Sequence, residues 1–495
     1  MMHAHVLESL DLALPLDRYR DAFPSGRGGF VLDGGDYTLL GADPFLAFRA
    51  FRSDHRRPSG ALAARVVIEE NGATIRAEVD DPLDVLRSLL REHAVDPKCF
   101  THRPLPFLGG AVGYIGYETG QMLERLPCAE RNAIGMPDIA LFFHDWVIGR
   151  SRTTGATWLS VIGRGATTEY ARTSAERTRD RLLGVLASFE QQQRFLTRPS
   201  TSRIHDVGIP ASPLLLDAAR ATPVVTRDAY LTKIATAREH ILGGDAFEIC
   251  LTHRLDAPFT GDAFALWQDL RSASPSPFAA FLDLPEGAIA SSSPERFLSL
   301  DASRIAESRP IKGTRPRGAT AAEDARLRDD LATSTKDRAE NAMIVDLVRN
   351  DLGRVCRYGS VEAPELYAVE SYATVHQLVS TVRGELTSDH DAIDLLRACF
   401  PPGSMTGAPK IEAMTILEQL EPTERGVYSG ALGWFDFSGP MDLSVVIRTI
   451  VVKDGTAHVH VGGAIVADSD ALSEHDETMH KARAMLGVLA LPELE

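Results

Sequence analysis

The stretch 191–223 clusters Ser, Pro, Thr and Gln without any sustained hydrophobic period, and it divides the chain into two dissimilar parts. Such composition suits a linker or a surface crossing better than a packed element. A chain of 495 residues is also longer than one core supports, since single hydrophobic cores stop growing at roughly 250 to 300 residues. We therefore set a linker at 191–224, between an N-terminal domain over 1–190 and a C-terminal domain over 225–495.

The first part mixes short β-like runs at 29–32, 64–69 and 158–162 with turn-rich pieces, then shows a helical pattern over 168–189. In the second part Thr226 caps apolar positions at helical spacing, and 247–255 reads as a strand. The spacing predicts a helix over 335–351, with Ala339, Met343, Val345 or Leu347, and Val348 facing a core. Glu340, Asp346 and Asn350 fall off that stripe. A last helix is predicted from Ser473, with Asp476 in capping-box spacing. On it Glu474, Glu477 and Lys481 project from one side.

Hydrophobic residues at 44% and charged residues at 24% are ordinary for a globular chain and name no function. A net charge of −16 argues against a nucleic-acid partner, because that affinity comes from Lys and Arg neutralising phosphates. Glu8 and Asp11 interrupt the apolar start of the chain, so no signal or transit peptide is expected there. With no long uninterrupted apolar span, the expectation is a cytoplasmic protein without a membrane partner. Cys99, Cys128, Cys250, Cys356 and Cys399 are odd in number and lack a CxxC pair, which reads as reduced thiols.

Three places could carry chemistry. In Pro310-Ile311-Lys312-Gly313-Thr314 an amine sits on a glycine turn, flanked by Arg309, Arg315 and Arg317. Neighbouring cations would depress its pKa and expose a nucleophilic lone pair; a plain anion-binding turn is the other reading. Glu340 and the pair Glu474 and Glu477 suit a hard cation such as Mg²⁺, or are solvated helix faces. The run Gly403 to Lys410 lacks the spacing of a Walker loop, which leaves a glycine-rich turn whose N–H groups suit a carboxylate. Gly109 to Tyr114 fails the dinucleotide pattern and suggests closely packed backbones. Gly462 and Gly463 read as a close backbone approach or a bend. His376 has no Ser or Cys nucleophile motif beside it.

Taken together these stretches resemble the chorismate-utilising enzyme family, which includes anthranilate, aminodeoxychorismate, isochorismate and salicylate synthases. The match runs through Ser291-Ser-Ser-Pro-Glu295, Arg309 to Arg317, Asp337 to Asp351, Val375-His-Gln-Leu-Val-Ser380, Gly403 to Lys410 and Ile465-Val-Ala-Asp-Ser-Asp470, with Gly109 to Glu118 added in the first part. The resemblance implies an α+β fold of antiparallel β-sheets packed as a sandwich with helices outside, in two lobes. It places the active site in the C-terminal lobe. Anthranilate synthases typically carry Ala at the Lys312 position and aminodeoxychorismate synthases carry Lys, so within the family the chain resembles the latter. Anthranilate synthase component I is the alternative.

The resemblance further implies that Lys312 adds to C2 of chorismate while Glu295 protonates the departing C4 hydroxyl. His376 and Thr406 would line the ring. Tyr428, Arg448, Gly462, Gly463 and Lys481 would bind the substrate carboxylates, and Glu340, Glu474 and Glu477 would hold Mg²⁺. Where isochorismate and salicylate synthases carry a water-activating lysine, and many aminating members Gln, this chain has Glu248. The usual GAGIV reads Gly462-Gly-Ala-Ile-Val466, another departure. No glutaminase-like segment is recognisable, so ammonia is expected from a partner glutamine amidotransferase subunit, the product serving para-aminobenzoate and folate synthesis. The family's tryptophan site would fall on Leu7, Glu8 and Ser9 together with Pro275 and Phe278.

Overall fold

The computed structural model describes residues 1–70, 72–100, 102–128, 133–196 and 221–490. Most of the expected linker, 197–220, lies outside the described residues. Two twelve-stranded antiparallel sheets dominate. The first runs from an edge at Met2–Leu10 through Gly29–Gly34, Phe278–Leu284 and Gly287–Ser293 to Thr449–Lys453, Thr456–Ile465 and Glu248–Pro258. The second runs from Ile311–Pro316 and Val375–Glu385 through Arg296–Leu300 and Met441–Val445 to Gly110–Ile115 and Ala73–Val79. Strands from both sides of 191–224 enter each sheet, so that stretch separates segments of sequence that share their sheets.

The two-residue period of strands explains the layers. Phe30 and Leu32 point between the sheets, against a core that includes Phe48 and Phe142, while Val31 points the other way. That outer face is covered by Leu182 and Leu186 of the helix Thr168–Leu196, Trp267 of Ala263–Ala273 and Met485 of Ala471–Ala490. Each such side chain contributes roughly 1.5–3 kcal/mol when fully buried. The sandwich with outer helices is therefore the observed architecture. At Gly113 an added Cβ would strike the Ala140 carbonyl oxygen across the strand pair, so the glycine-rich run does pack backbones closely.

Several local expectations shift. The helix expected to end at residue 189 continues as Thr168–Leu196. In Thr335–Gly353 the buried residues are Asn341, Ile344, Val345, Val348, Asp351 and Leu352, and Ala339 is exposed. Polar Asn341 and Asp351 face inward, which hid the true stripe from a hydrophobicity count. The last helix is Ala471–Ala490. Its first turn is held by Asp470, whose carboxylate accepts from the Ser473 N–H at 2.9 Å, and not by a Ser473–Asp476 box.

One buried ion pair ties these layers to the cleft beside them. Arg425 is fully buried and grips Glu421 through Nε and Nη2 at 2.9 and 2.7 Å. It also donates to the Cys250 carbonyl at 2.7 Å and the Met405 carbonyl at 2.6 Å. Glu118, from the first part of the chain, accepts the N–H groups of Arg425 and Gly426 at 2.8 Å each. Removing one partner of a buried pair strands the other charge, at about 3–5 kcal/mol. Arg425→Ala is expected to lower unfolding stability by about that amount, read from the midpoint of denaturant unfolding.

Candidate active site

The cleft forms where the two sheets exchange chain. Between Gly287–Ser293 of the first sheet and Arg296–Leu300 of the second lies Glu295; between Met441–Val445 and Thr449–Lys453, on the return, lies Arg448. These crossovers are clamped together. The Val445 N–H donates to the Glu295 carbonyl and the Ser292 N–H to the Arg448 carbonyl, both at 3.0 Å. Arg448 adopts a left-handed φ of 52°, unusual for a residue with a side chain.

Lys312 is on Ile311–Pro316, the edge strand of the second sheet, and its ammonium donates to Glu248 Oε1 at 2.6 Å. Glu248 opens the strand Glu248–Pro258 of the first sheet, and its side chain is fully buried. Gly313 beside the lysine has φ 81°, and a Cβ there would meet Asp337 at 2.8 Å, so the turn requires glycine. Burial opposes the charge on Lys312, yet Glu248 and then Glu340 outweigh it and raise the pKa above the usual lysine range. The arginine cluster expected to lower it is dispersed. Arg309 pairs with Glu370, Arg315 with Asp330 and Asp337 at 2.7 and 3.0 Å, and Arg317 with Asp324 at 2.7 Å. Each guanidinium is neutralised locally, which is why neighbours in sequence do not act on the amine.

Burial pushes the Glu295 carboxyl up from 4.5 to about 7, against the Ser404 hydrogen bond and the Lys312 charge. The Lys312 charge thus acts on the buried Glu295 carboxyl. Thr406 closes the floor: it is fully buried, its carbonyl accepts from the Cys250 N–H at 3.0 Å, and Cys250 lies two residues after Glu248.

Tyr428 is buried and stacks on His460 with centroids 5.2 Å apart. Burial pushes the Arg448 pKa down, against a smaller upward pull from Tyr428. No carboxylate among the described residues pairs with this arginine, which leaves a cation ready for an anionic ligand. Gly462 and Gly463 lie opposite Thr252 and Leu251 in the sheet. A Cβ on Gly463 would come 3.5 Å from Glu474 Oε2, while the Gly462 carbonyl accepts from Lys481 Nζ at 3.0 Å.

Three carboxylates approach from two helices. Burial raises the pKa of Glu340 and Glu474; next to burial, Glu248 adds to the first and Glu477 to the second. Glu477 is lowered despite burial, chiefly by Lys481, with which it pairs at 2.8 Å. Lys336 acts on all three. Among the described residues no three His, Cys, Asp or Glu side chains close on one point as a finished metal site. The donor type still fits a hard cation that keeps several waters.

Two expected sets fall elsewhere. His376 is fully buried with both ring nitrogens engaged, by Ser371 at 2.7 Å and Asp324 at 3.1 Å, so it anchors strands and offers no free nitrogen to a ring. Leu7, Glu8 and Ser9 lie on the edge strand Met2–Leu10, four strands from Gly29–Gly34. Near that inner strand a cavity of about 230 Å³ is lined by Asp33, Tyr37, Phe278, Arg296 and Trp434. Phe278 reaches it; Leu7, Glu8, Ser9 and the exposed Pro275 do not. A three-letter match on an edge strand carried no information about which strand faces the interior. Arg425 and His460 escaped sequence reasoning, since single residues outside a pattern give no signal, whereas Ser404 lies within the Gly403 to Lys410 run and bonds the Glu295 carboxyl.

No helix among the described residues is long and apolar enough to cross a membrane. Residues 49–487 match the family of chorismate binding enzymes. Aminodeoxychorismate synthase of Streptomyces pristinaespiralis is 42% identical over 444 residues, covering 87% of this chain and 59% of that protein. Aminodeoxychorismate synthase component 1 of Escherichia coli (strain K12) is 38% identical over 408 residues, 82% of each. Among solved structures, anthranilate synthase component I of Streptococcus pneumoniae TIGR4 superposes with a TM-score of 0.71 at 31% identity, covering 91% of this chain and 92% of its own. With a cleft of this geometry inside the matched region, the chain belongs to the chorismate binding enzyme family.

Proposed function

We propose that the chain aminates chorismate at C4, giving 4-amino-4-deoxychorismate, with Lys312 as covalent nucleophile. The observation that carries this reading is the buried amine of Lys312, held at 2.6 Å by Glu248, with its charge acting on the Glu295 carboxyl. Lys312 Nζ bonds to C2, the ring double bonds shift, and the C4 hydroxyl leaves as water with the proton of Glu295. Ammonia then bonds to C4, the double bonds shift back, and the C2–N bond breaks to free the lysine. Splitting one hard substitution into two easier ones is the gain from a covalent step.

Arg448, Tyr428 and the strand residues Gly462 and Gly463 bind the substrate carboxylates. Glu340, Glu474 and Glu477 hold Mg²⁺, which supplies charge neutralisation for a carboxylate in a water-poor cleft. Ammonia comes from a glutaminase partner, a reading supported by relatives that are named component 1 and by longer relatives of the same name, of which this chain spans about half to three fifths. The product feeds para-aminobenzoate and folate synthesis. The Phe278 cavity is where the tryptophan implied by the resemblance would sit, and the reaction proceeds in the cytoplasm.

The deciding experiment incubates the chain with chorismate, Mg²⁺ and ammonium, with and without an aminodeoxychorismate lyase. 4-Aminobenzoate appearing only with the lyase is expected; anthranilate and pyruvate formed without it would instead make the chain an anthranilate synthase component I. Lys312→Ala is expected to slow amination by roughly 10³- to 10⁶-fold, the scale of losing a nucleophile that acts as a unit with its partners, while chorismate still binds in a calorimetric titration. An unaffected rate would remove the covalent step. Because the Glu295 pKa is raised to about 7, its acid form is present below that pH and is lost above it. The wild-type kcat/KM, which reports the free enzyme, should fall as pH rises through about 7, and Glu295→Gln should both lower kcat by roughly 10²- to 10⁴-fold and abolish that fall.

A further inference from the structure

The amine that is to attack C2 rests as a cation, and an ammonium nitrogen has no lone pair. It must give up a proton inside a buried cleft. The three arginines that could have discouraged its charge are each paired elsewhere. What touches Nζ is Glu248. Its Oε1 stands at 2.6 Å, and its other oxygen, Oε2, is buried without any hydrogen-bond partner. A buried carboxylate oxygen left unsatisfied is costly and calls for a role.

We propose that Glu248 is the proton acceptor for Lys312, a catalytic carboxylate bonded directly to the reacting nitrogen. The inference rests on Lys312 being the nucleophile and goes beyond it by naming what makes the lysine one. In the first half-reaction a proton passes from Nζ to Glu248, turning an ion pair into a neutral pair. The freed lone pair forms the bond to C2, and the C4 oxygen departs as water with the Glu295 proton. In the second, ammonia bonds to C4 and the electrons of the C2–N bond return to Nζ. Glu248 then hands its proton back, restoring the ion pair, and the new C4 ammonium reprotonates Glu295. Protons and charge balance over the cycle without an outside acid or base. The transfer also leaves the net charge of the buried pair at zero, which avoids the cost of stranding a lone ion there.

The groups that bear on this pair from other elements are Glu340 of the helix Thr335–Gly353, Glu295 at the sheet crossover, Glu477 of the C-terminal helix, and Cys250 along the Glu248 strand. All of them stay in place in the variants used to test the idea. With the full chain, Mg²⁺ and saturating ammonium, Glu248→Gln is expected to lower kcat by roughly 10²-fold or more, with chorismate binding by calorimetry unchanged. Relative to wild type at the same pH, its kcat should climb with pH as hydroxide takes over the deprotonation, the Glu295 limb being common to both. Without ammonium, wild-type protein mixed with chorismate should gain the mass of chorismate less one water, and the variant should gain it far more slowly. Glu248→Asp keeps a carboxylate and should recover part of the rate and the wild-type pH profile. If Gln and Asp behave alike, or if Glu248→Gln matches wild type at every pH, the inference is overturned. If Lys312→Ala also keeps its activity, the lysine reading falls first.

Discussion

The Arg425–Glu421 pair is the interaction on which the rest of the cleft depends. It is fully buried, and its own charged atoms are satisfied on several sides: Cys250 and Met405 accept through carbonyls, Thr252 donates through its N–H and hydroxyl, and the Tyr117 ring lies beneath the guanidinium with its centroid 4.3 Å away. Those contacts reach the strand that carries Glu248, the turn that carries Thr406 and, through Glu118, the first part of the chain. A charge that cannot be hydrated holds these pieces to fixed distances, because any loosening would leave a buried ion unpaired.

Two sheets that exchange strands make a natural place for chemistry. Where the chain leaves one sheet for the other, backbone groups are not consumed by a regular ladder, and side chains project into the seam. Glu295 and Arg448 occupy the outward and the return crossings, and each is clamped to the other's crossing by one backbone hydrogen bond. An acid and an anion receptor are thereby held near each other by elements far apart in sequence. The edge strand of the second sheet adds Lys312 and the first sheet adds Glu248, so the amine and its carboxylate meet only because the sheets stack.

Much of this was legible in the residues and some was not, for identifiable reasons. The Thr226 cap was visible because a cap is a local event, its hydroxyl accepting from the Ala229 N–H at 3.3 Å. In Thr335–Gly353 the expected Val345 and Val348 are buried, but Ala339 is exposed and Asn341 and Asp351 face the interior, where a polar residue defeats a count of apolar positions. The tryptophan motif went astray because three letters recur by chance and do not say which strand is central. His376 has one partner, Ser371, on the preceding strand and the other, Asp324, on a helix 52 positions away, and only the fold brings the second one to the ring.

The sequence by itself carried the family resemblance and singled out Lys312, since motifs are written in neighbouring residues; the sandwich of antiparallel sheets and the role of Glu295 came with that resemblance and not from caps or strand periods. The electrostatics of the site were decided by the tertiary structure. Arg309, Arg315 and Arg317 surround the lysine in the chain but spend their charge on Glu370, Asp330, Asp337 and Asp324, while Glu248, 64 positions away, sets its protonation. Coulomb energies depend on distance and local dielectric, and neither quantity exists until the two sheets are packed.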